Sequence, residues 1–149
     1  MFDKNTVIPI GSDHGGYEMK VHLIQQLTKK GYRFNDFGPD SDARVDYPDF
    51  IHPVASLVND HPSMLGIIIC GSGQGASMTA NKYPNVRAGL CWDGEQASLT
   101  RLHNNANIIS LPGRFLDFEE AVRIVEIFFN TEFEGGRHIQ RINKIPVSN

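Results

Sequence analysis

The residues Gly66-Ile67-Ile68-Ile69-Cys70 form the most apolar run of this 149-residue chain, and they lead directly into Gly71-Ser72-Gly73-Gln74-Gly75. Three consecutive isoleucines bounded by turn residues are typical of a parallel strand that is buried on both faces. The glycines that follow allow a sharp turn, which directs several backbone N–H groups toward one point and favours an anion at the start of a helix. The same field stabilises a thiolate, so Cys70 is a candidate base or nucleophile.

Apolar strand-like runs alternate with helical patterns along the whole sequence. Strands are predicted over 7–10, 32–37, 65–70, 86–92 and 107–111, and helices over 17–30, 50–59, 76–82, 94–102, 117–129 and 136–143. Strands separated by helices with short connections indicate right-handed crossovers and a doubly wound parallel sheet. The sequence therefore predicts one domain over residues 1–149, a Rossmann-like three-layer α/β/α sandwich with a five-stranded parallel sheet and an extra C-terminal helix.

Polar residues follow two of the predicted strands. In sheets of this class, ligands bind beyond the carboxyl ends of the strands, at the point where the strand order reverses. We expect the order 2-1-3-4-5, which places this crevice between the first and third strands. Those strands end at Ser12-Asp13-His14-Gly15-Gly16 and at Cys70-Gly71-Ser72-Gly73. A binding site at this crevice is predicted.

Composition excludes several classes of function. Hydrophobic residues make up 40% of the chain, and its net charge of −3 with no block of Lys or Arg argues against a nucleic-acid partner. The sequence shows neither a secretory signal nor an apolar stretch that could span a membrane, so a cytoplasmic location is expected. The two cysteines suggest no disulfide framework, and the six histidines show no HExxH motif or other close ligand pair. No metal is expected.

The glycine loop has other interpretations. Gly71-Ser72-Gly73-Gln74-Gly75-Ala76 matches the G-x-G-x-x-A pattern of dinucleotide-binding domains, and Asp93 follows the next strand, where a ribose-binding acid belongs. Against this, the loop follows the third strand rather than the first. A P-loop fails because the required Lys-Ser/Thr pair is missing. A plain structural turn and a buried, unreactive Cys70 remain alternatives, and Cys91 is interpreted as a buried apolar side chain.

Several polar residues outside the loop have both a functional and a structural interpretation. Asp13 beside His14 could transfer protons, or could be a helix cap beside a surface histidine. His103 ends a helix, where it could serve in catalysis or merely complement the helix dipole. Arg137 and Arg141 lie four residues apart on one helix face, an arrangement that suits a phosphate but also an ordinary solvated surface. The same pair of interpretations applies to Arg114, which follows a Pro-Gly turn.

Together these motifs resemble those of the type B ribose-5-phosphate isomerases, in a family that also includes galactose-6-phosphate isomerase subunits. The resemblance covers nearly all of the chain. It rests on Ser12-Asp13-His14-Gly15-Gly16, Asp46-Tyr47-Pro48, Cys70-Gly71-Ser72-Gly73-Gln74-Gly75, Ala80-Asn81-Lys82, Arg101-Leu102-His103-Asn104 and Glu134-Gly135-Gly136-Arg137-His138. It implies an enzyme without metal or cofactor that interconverts aldose and ketose sugar phosphates. It also implies a homodimer, or a tetramer, with active sites shared between subunits.

The resemblance further implies the role of each residue. His103 and Asp13 open the sugar ring, Cys70 moves a proton between C2 and C1 through a cis-enediolate, and Ser72 moves a proton between the two oxygens. The substrate-binding residues that it implies are His14, Tyr47, Gly71, Gly73, Gln74, Gly75, Asn104, Arg114, Arg137 and Arg141. In such dimers the neighbouring subunit tends to contribute His103 and Asn104.

Some members of the family use a glutamate of the loop in place of the cysteine. Here the corresponding residues, Gly75-Ala76-Ser77, include no acid, so Cys70 is the expected base. Ribose 5-phosphate is the expected substrate. The alternatives are a six-carbon substrate, such as allose 6-phosphate or galactose 6-phosphate, and a nucleotide-binding module.

Overall fold

A computed structural model describes residues 1–147, which form five strands and six helices. In chain order these are β1 (Val7–Ser12), α1 (Tyr17–Lys29), β2 (Arg33–Asp36), α2 (Tyr47–Asp60), β3 (Gly66–Cys70), α3 (Gln74–Ala80), β4 (Ala88–Leu90), α4 (Gly94–Asn104), β5 (Ile108–Pro112), α5 (Phe118–Asn130) and α6 (Arg137–Ile142). Every element predicted from the sequence is present. The largest difference is β4, which has three residues rather than the predicted seven.

All neighbouring strands pair in parallel, which confirms the predicted fold class, but their order is β2-β1-β3-β5-β4. The expected order 2-1-3-4-5 is therefore wrong at its last two strands. The physical reason lies in burial. All five residues of β5 are buried, whereas the short β4 is half-exposed. A strand with two apolar faces must be covered on both, so β5 takes the central place and β4 the edge.

The three isoleucines of β3 divide the core between the two faces of the sheet. Ile67 and Ile69 pack with residues of α1, α4 and α5 in one apolar cluster. Ile68 points the other way and packs with residues of α2 and α3 in a second cluster. Side chains alternate across a strand, so an unbroken apolar run is what a sheet covered on both faces requires.

Pro9 lies inside β1 without breaking the sheet. The proline pairs in register with Asn35 of β2, while pairing between β1 and β3 begins only at Ile10. Proline has no N–H to donate, so its place before the start of the β1–β3 ladder limits the loss of hydrogen bonds.

Two helix ends show how local signals work here. Asp117 caps α5 by accepting hydrogen bonds from the amides of Glu119 and Glu120. Glu120 does not complete a reciprocal capping box, because its carboxylate pairs with Arg123 instead. The C-terminal α6 packs beside the end of α4, where Glu134 N donates to the carbonyl of Leu102.

Both cysteines are free thiols. Among the helices formed by residues 1–147, none is long and apolar enough to cross a bilayer.

We predict that Ile68→Ala lowers the free energy of unfolding by about 2–5 kcal/mol, because it leaves a cavity in the middle of the sheet. Denaturant titration followed by circular dichroism measures this loss. The control is Val147→Ala, at a side chain that is 90% exposed, and it should change stability by less than about 0.5 kcal/mol. Equal stability of the two variants would contradict the assigned packing.

Candidate active site

A cavity of about 480 Å³ opens at the carboxyl ends of the central strands. That volume lies in the range of small-molecule sites. Its lining residues are Asp13, Tyr47, Cys70, Gly71, Ser72, Gln74, Gly75, Met78, Arg114 and Phe115. Cys70 is only 4% exposed and belongs to the apolar cluster of α2 and α3, but it also forms part of the cavity wall. The structure thus brings the thiol and the glycine loop to one open site, as the sequence predicts.

The conformation of the loop depends on Gly73. This residue has a φ of +75°, in the left-handed region that favours glycine, and a Cβ there would lie 2.5 Å from Cδ1 of Leu90. Its carbonyl accepts hydrogen bonds from Ser110 Oγ at 2.8 Å and Ser77 Oγ at 2.9 Å. Both the backbone angle and the carbonyl of the turn are therefore fixed from outside the loop.

Three amides of the loop remain available. In the part of the chain that the structure describes, no protein oxygen accepts a hydrogen bond from the N–H groups of Gly71, Ser72 or Gly73. Unpaired backbone donors at the floor of a cavity favour a negatively charged oxygen of a ligand. Gly71 and Ser72 line the cavity, whereas Gly73, which was also expected to bind the substrate, does not.

Backbone hydrogen bonds join the loops that follow β1, β3 and β5. The amide of Asp13 donates to the carbonyl of Ile69 at 3.2 Å, and Gly113 N donates to Cys70 O at 2.9 Å. Arg114 N donates to Gly71 O at 3.0 Å. Because β5 is the direct neighbour of β3, the loop that carries Arg114 lies beside Cys70, which the order expected from the sequence does not predict.

The side chain of Arg114 crosses the backbone at two glycines. A Cβ at Gly15 would lie 3.3 Å from Nε of Arg114, and a Cβ at Gly71 would lie 3.3 Å from its Nη1. The guanidinium lines both the cavity of Cys70 and an adjoining one of about 330 Å³. A fixed positive charge therefore lies between the two cavities and can bind an anionic group in either.

Tyr47 closes another side of the cavity. It is the first residue of α2, whose early turn contains Pro48, and its ring lies against the glycine loop. A Cβ at Gly75 would lie 2.6 Å from Cζ of Tyr47. The glycine thus leaves room for the ring, which forms part of the cavity wall.

Asp13 and His14 each make hydrogen bonds to the backbone and also line a cavity, so they have features of both the structural and the functional interpretation. Oδ1 of Asp13 accepts a hydrogen bond from Gly16 N at 3.0 Å, and the same side chain lines the cavity of Cys70. Nδ1 of His14 lies 3.1 Å from the carbonyl oxygen and 3.2 Å from the amide of Val45. His14 lines the adjoining cavity beside Arg114 rather than the one that contains the thiol.

The remaining predicted residues lie at the opposite side of the sheet, where the strands begin. His103 and Asn104 end α4, immediately before β5 begins, whereas Cys70 lies where β3 ends. The paired strand β5 is five residues long, which corresponds to roughly 16 Å. Within one chain, His103 and Asn104 therefore do not meet Cys70. Arg137 and Arg141 are on α6, which packs on the same end of α4.

Arg101 fixes the end of α4 that carries His103 and Asn104. Its guanidinium donates to the carbonyl oxygens of Thr131 at 3.0 Å and Ala106 at 2.6 Å, and to Oδ1 of Asn105 at 3.0 Å. These bonds join the end of α4 to the start of β5 and to the segment after α5. His103 is thus carried on a well-fixed helix end.

Two residues beside His103 were not predicted as functional from the sequence. The rings of His103 and His138 stack with centroids 4.5 Å apart, and Glu134 Oε2 lies 3.8 Å from Nε2 of His103 and 3.4 Å from Nε2 of His138. The sequence signals were the spacing of four residues between Glu134 and His138 and their place in one motif of the family resemblance. The contact with His103 could not be seen, because the two histidines are 35 positions apart. Met78 and Phe115, both exposed at the cavity rim, were also missed.

The dinucleotide interpretation does not fit the structure. Asp93, the expected ribose ligand, is the N-cap of α4 and accepts a hydrogen bond from Gln96 N at 2.8 Å. It follows β4, and β5 separates that strand from β3 and its glycine loop. A ribose-binding acid belongs on the strand next to the phosphate loop, so Asp93 is in the wrong place.

The two thiols have different surroundings. Cys91 is fully buried, and burial together with the charge of Asp93 raises the pKa of its thiol to about 12. The thiolate is the reactive form, so Cys91 is inert near neutral pH, as the sequence predicts. Cys70 lies at the wall of an open cavity.

We predict that iodoacetamide at pH 8 alkylates Cys70 and leaves Cys91 unmodified in the folded protein, since only about one Cys91 thiol in ten thousand is ionised at that pH. Mass spectrometry of peptides identifies the modified residue. Both cysteines should react in denaturant, and the folded Cys70→Ala variant should not react. Faster modification of Cys91 than of Cys70 would contradict the assigned environments.

Comparison with known proteins places these features in a family. The family model described as Ribose/Galactose Isomerase matches residues 8–145. A probable ribose-5-phosphate isomerase B of Mycoplasma pneumoniae is 42% identical over 142 residues, which cover 95% of this chain and 93% of the relative.

Solved structures agree with this match. The ribose 5-phosphate isomerase of Thermotoga maritima superposes with a TM-score of 0.91 at 44% identity, covering 94% of this chain and 97% of that chain. The ribose-5-phosphate isomerase B of Mycoplasma genitalium, solved with bound ribulose-5-phosphate, superposes with a TM-score of 0.89 at 43% identity, covering 93% of each chain. The resemblance found in the sequence motifs is thereby confirmed, and the chain belongs to the Ribose/Galactose Isomerase family.

Proposed function

We propose that this protein interconverts ribose 5-phosphate and ribulose 5-phosphate by proton transfer through Cys70, without a metal or cofactor. The observation that carries the proposal is the single cavity in which the Cys70 thiol, unpaired loop amides and the guanidinium of Arg114 meet. Membership of the family and the ribulose-5-phosphate bound by the Mycoplasma genitalium relative support it.

The chemistry follows from the residues of the cavity. The Cys70 thiolate removes the proton from C2 of the open-chain aldose, which leaves a cis-enediolate. The unpaired amides of Gly71 and Ser72 stabilise the negative oxygen, an effect of a few kcal/mol for each donor. Ser72 moves a proton between O1 and O2, and the Cys70 thiol then returns its proton to C1. Only protons move in these steps, the total charge stays the same, and the Cys70 thiolate is regenerated at the end. No external oxidant or reductant is therefore needed.

Cys70 is the group of the cavity best suited to this transfer. The loop after it has no carboxylate, and the Asp13 carboxylate is already bonded to Gly16 N. Asp13 instead takes part in opening the sugar ring together with His103, which supplies or accepts the proton of the ring oxygen. Tyr47 and Asn104 bind sugar hydroxyls.

Cationic residues at both edges of the sheet bind the phosphate. Arg114 and His14 are present at the edge of Cys70, whereas Arg137 and Arg141 are exposed on α6 at the other edge. A doubly charged phosphate prefers several guanidinium donors in a fork-like arrangement. One chain alone cannot offer all of them to a ligand beside Cys70.

The division of these residues between two edges requires a second copy of the chain. In a two-fold dimer, the surface that carries His103 and Arg137 in one subunit meets the surface that carries Cys70 in the other, and the reverse contact is identical. Two complete sites result. We therefore propose a homodimer with shared active sites, in which His103, Asn104, Arg137 and Arg141 come from the neighbouring subunit.

We predict that Cys70→Ala lowers kcat for ribose 5-phosphate by about 10²- to 10⁴-fold, the usual contribution of a positioned base. The matched control is Cys91→Ala, which removes the buried thiol that directly follows β4 and should keep the wild-type kcat. Steady-state assays on ribose 5-phosphate, allose 6-phosphate and galactose 6-phosphate, with a chelator present, measure both the rate and the preferred chain length. A near-normal rate in Cys70→Ala would exclude this thiol as the base.

We also predict complementation between two inactive variants. Cys70→Ala and His103→Asn are each nearly inactive, but mixed subunits form dimers in which one site carries both substitutions and the other carries none. After co-refolding of equal amounts, activity should return to roughly a quarter of the wild-type value, since half of the dimers have one intact site out of two.

The control for complementation is a mixture of Cys70→Ala with Cys70→Ser, which has no intact site in any combination. Its activity should stay at the level of the separate variants. Failure of the Cys70→Ala and His103→Asn mixture to regain activity, with mixed dimers shown by native mass spectrometry, would disprove a shared site.

A further inference from the structure

The cluster formed by His103, Glu134 and His138 has a feature that isomerisation does not use. One nitrogen of each imidazole and one carboxylate oxygen of Glu134 all lie within 4.8 Å of one another. Two imidazole nitrogens and one carboxylate oxygen are the ligand set of several zinc sites, which leave the fourth position open. The three donors come from α4, α6 and the segment before α6, and the hydrogen bond from Glu134 N to Leu102 O holds these elements together.

His138 provides an independent indication of a ligand. The residue is 5% exposed, and its Nε2 is buried without a hydrogen-bond partner among the described residues. Glu134 Oε2 is near, at 3.4 Å, but it does not form a hydrogen bond with this nitrogen. A buried polar nitrogen without a partner costs free energy, and coordination to a cation would satisfy it.

We propose that His103, Glu134 and His138 bind a divalent transition cation such as Zn²⁺, and that this binding inhibits the enzyme. Neutral imidazole is a preferred ligand of these cations, while the carboxylate supplies one negative charge. The cation is an inhibitor here and not a cofactor. The inhibitory part rests on the proposed function, whereas the binding part stands on the cluster alone.

Small movements complete the coordination. The stacked rings are nearly parallel, with 18° between their planes, so their lone pairs do not yet converge. The buried His138 is fixed, whereas within a single chain the side chains of His103 and Glu134 are 40% and 53% exposed, which leaves them freer to rotate than His138. Tilting His103 toward the carboxylate brings its Nε2 lone pair onto the cation. The positive charges of Arg137 and Arg141 on α6 weaken the binding, and Glu134 offsets one of them.

Coordination blocks the proposed role of His103. A nitrogen whose lone pair is bound to a metal cannot accept the proton of the sugar ring, so ring opening stops while the rest of the site stays intact. Inhibition by the cation should therefore follow occupancy of the cluster and reverse when a chelator removes the metal.

A titration of the chelator-treated, full-length protein with Co²⁺ tests the site. Wild-type protein should bind one Co²⁺ per chain with a visible ligand-field band and without thiolate-to-cobalt charge transfer, which would instead report Cys70. Glu134→Gln and His138→Gln should weaken binding by at least about tenfold. Glu134 is exposed, so its variant should fold even where His138→Gln does not. The control is His22→Gln, at a single histidine whose Nε2 is 2.9 Å from Glu119 Oε1.

Unchanged Co²⁺ affinity in Glu134→Gln, or a band that disappears only in Cys70→Ser, would overturn the metal site.

Inhibition is tested separately by measuring turnover of ribose 5-phosphate against Zn²⁺ concentration and then adding EDTA. The concentration for half-inhibition should rise at least about tenfold in Glu134→Gln and stay constant in His22→Gln. Full turnover with the Co²⁺ or Zn²⁺ site occupied would overturn the inhibitory role. No turnover in metal-free wild-type protein would contradict the proposed function, while the Co²⁺ titration still decides the site.

Discussion

Backbone hydrogen bonds between the carboxyl ends of β1, β3 and β5 hold the candidate site together. The bonds from Asp13 N to Ile69 O, from Gly113 N to Cys70 O and from Arg114 N to Gly71 O continue the sheet ladder into its loops. They fix the backbone positions from which the side chains of Asp13, Cys70 and Arg114 extend. A catalytic arrangement built on sheet backbone is rigid, and rigidity is what preorganised stabilisation of a developing charge requires.

The candidate site also depends on the close approach of side chains to the backbone at several glycines. Arg114 crosses Gly15 and Gly71, and the ring of Tyr47 lies against Gly75. A side chain at any of these glycines would occupy the space of a functional group. The glycines of the loop therefore serve two purposes, since they shape the turn at Gly73 and leave room for the residues that surround the substrate.

The protein separates its functional residues between the two edges of one sheet. The carboxyl ends of the strands carry Cys70, the proposed base, together with the loop amides and Arg114. His103 and the arginines of α6 lie near the amino ends of the strands. In the proposed homodimer this separation would make activity depend on assembly, because one chain brings only part of the proposed site together. It also places His103 beside Glu134 and His138, so the proposed metal site and the proposed ring-opening step share this histidine.

The sequence by itself determined the elements and the centre of the site. The isoleucines of β3, the glycine loop after Cys70 and the cap at Asp117 are local patterns, in which burial period and turn chemistry act over a few neighbouring residues. Only the tertiary structure decided that β5 lies between β3 and β4, that Arg114 therefore adjoins Cys70, that His103 lies at the far edge, and that His103 stacks on His138. Each of these depends on which apolar faces cover one another, a choice between distant segments that neighbouring residues do not encode.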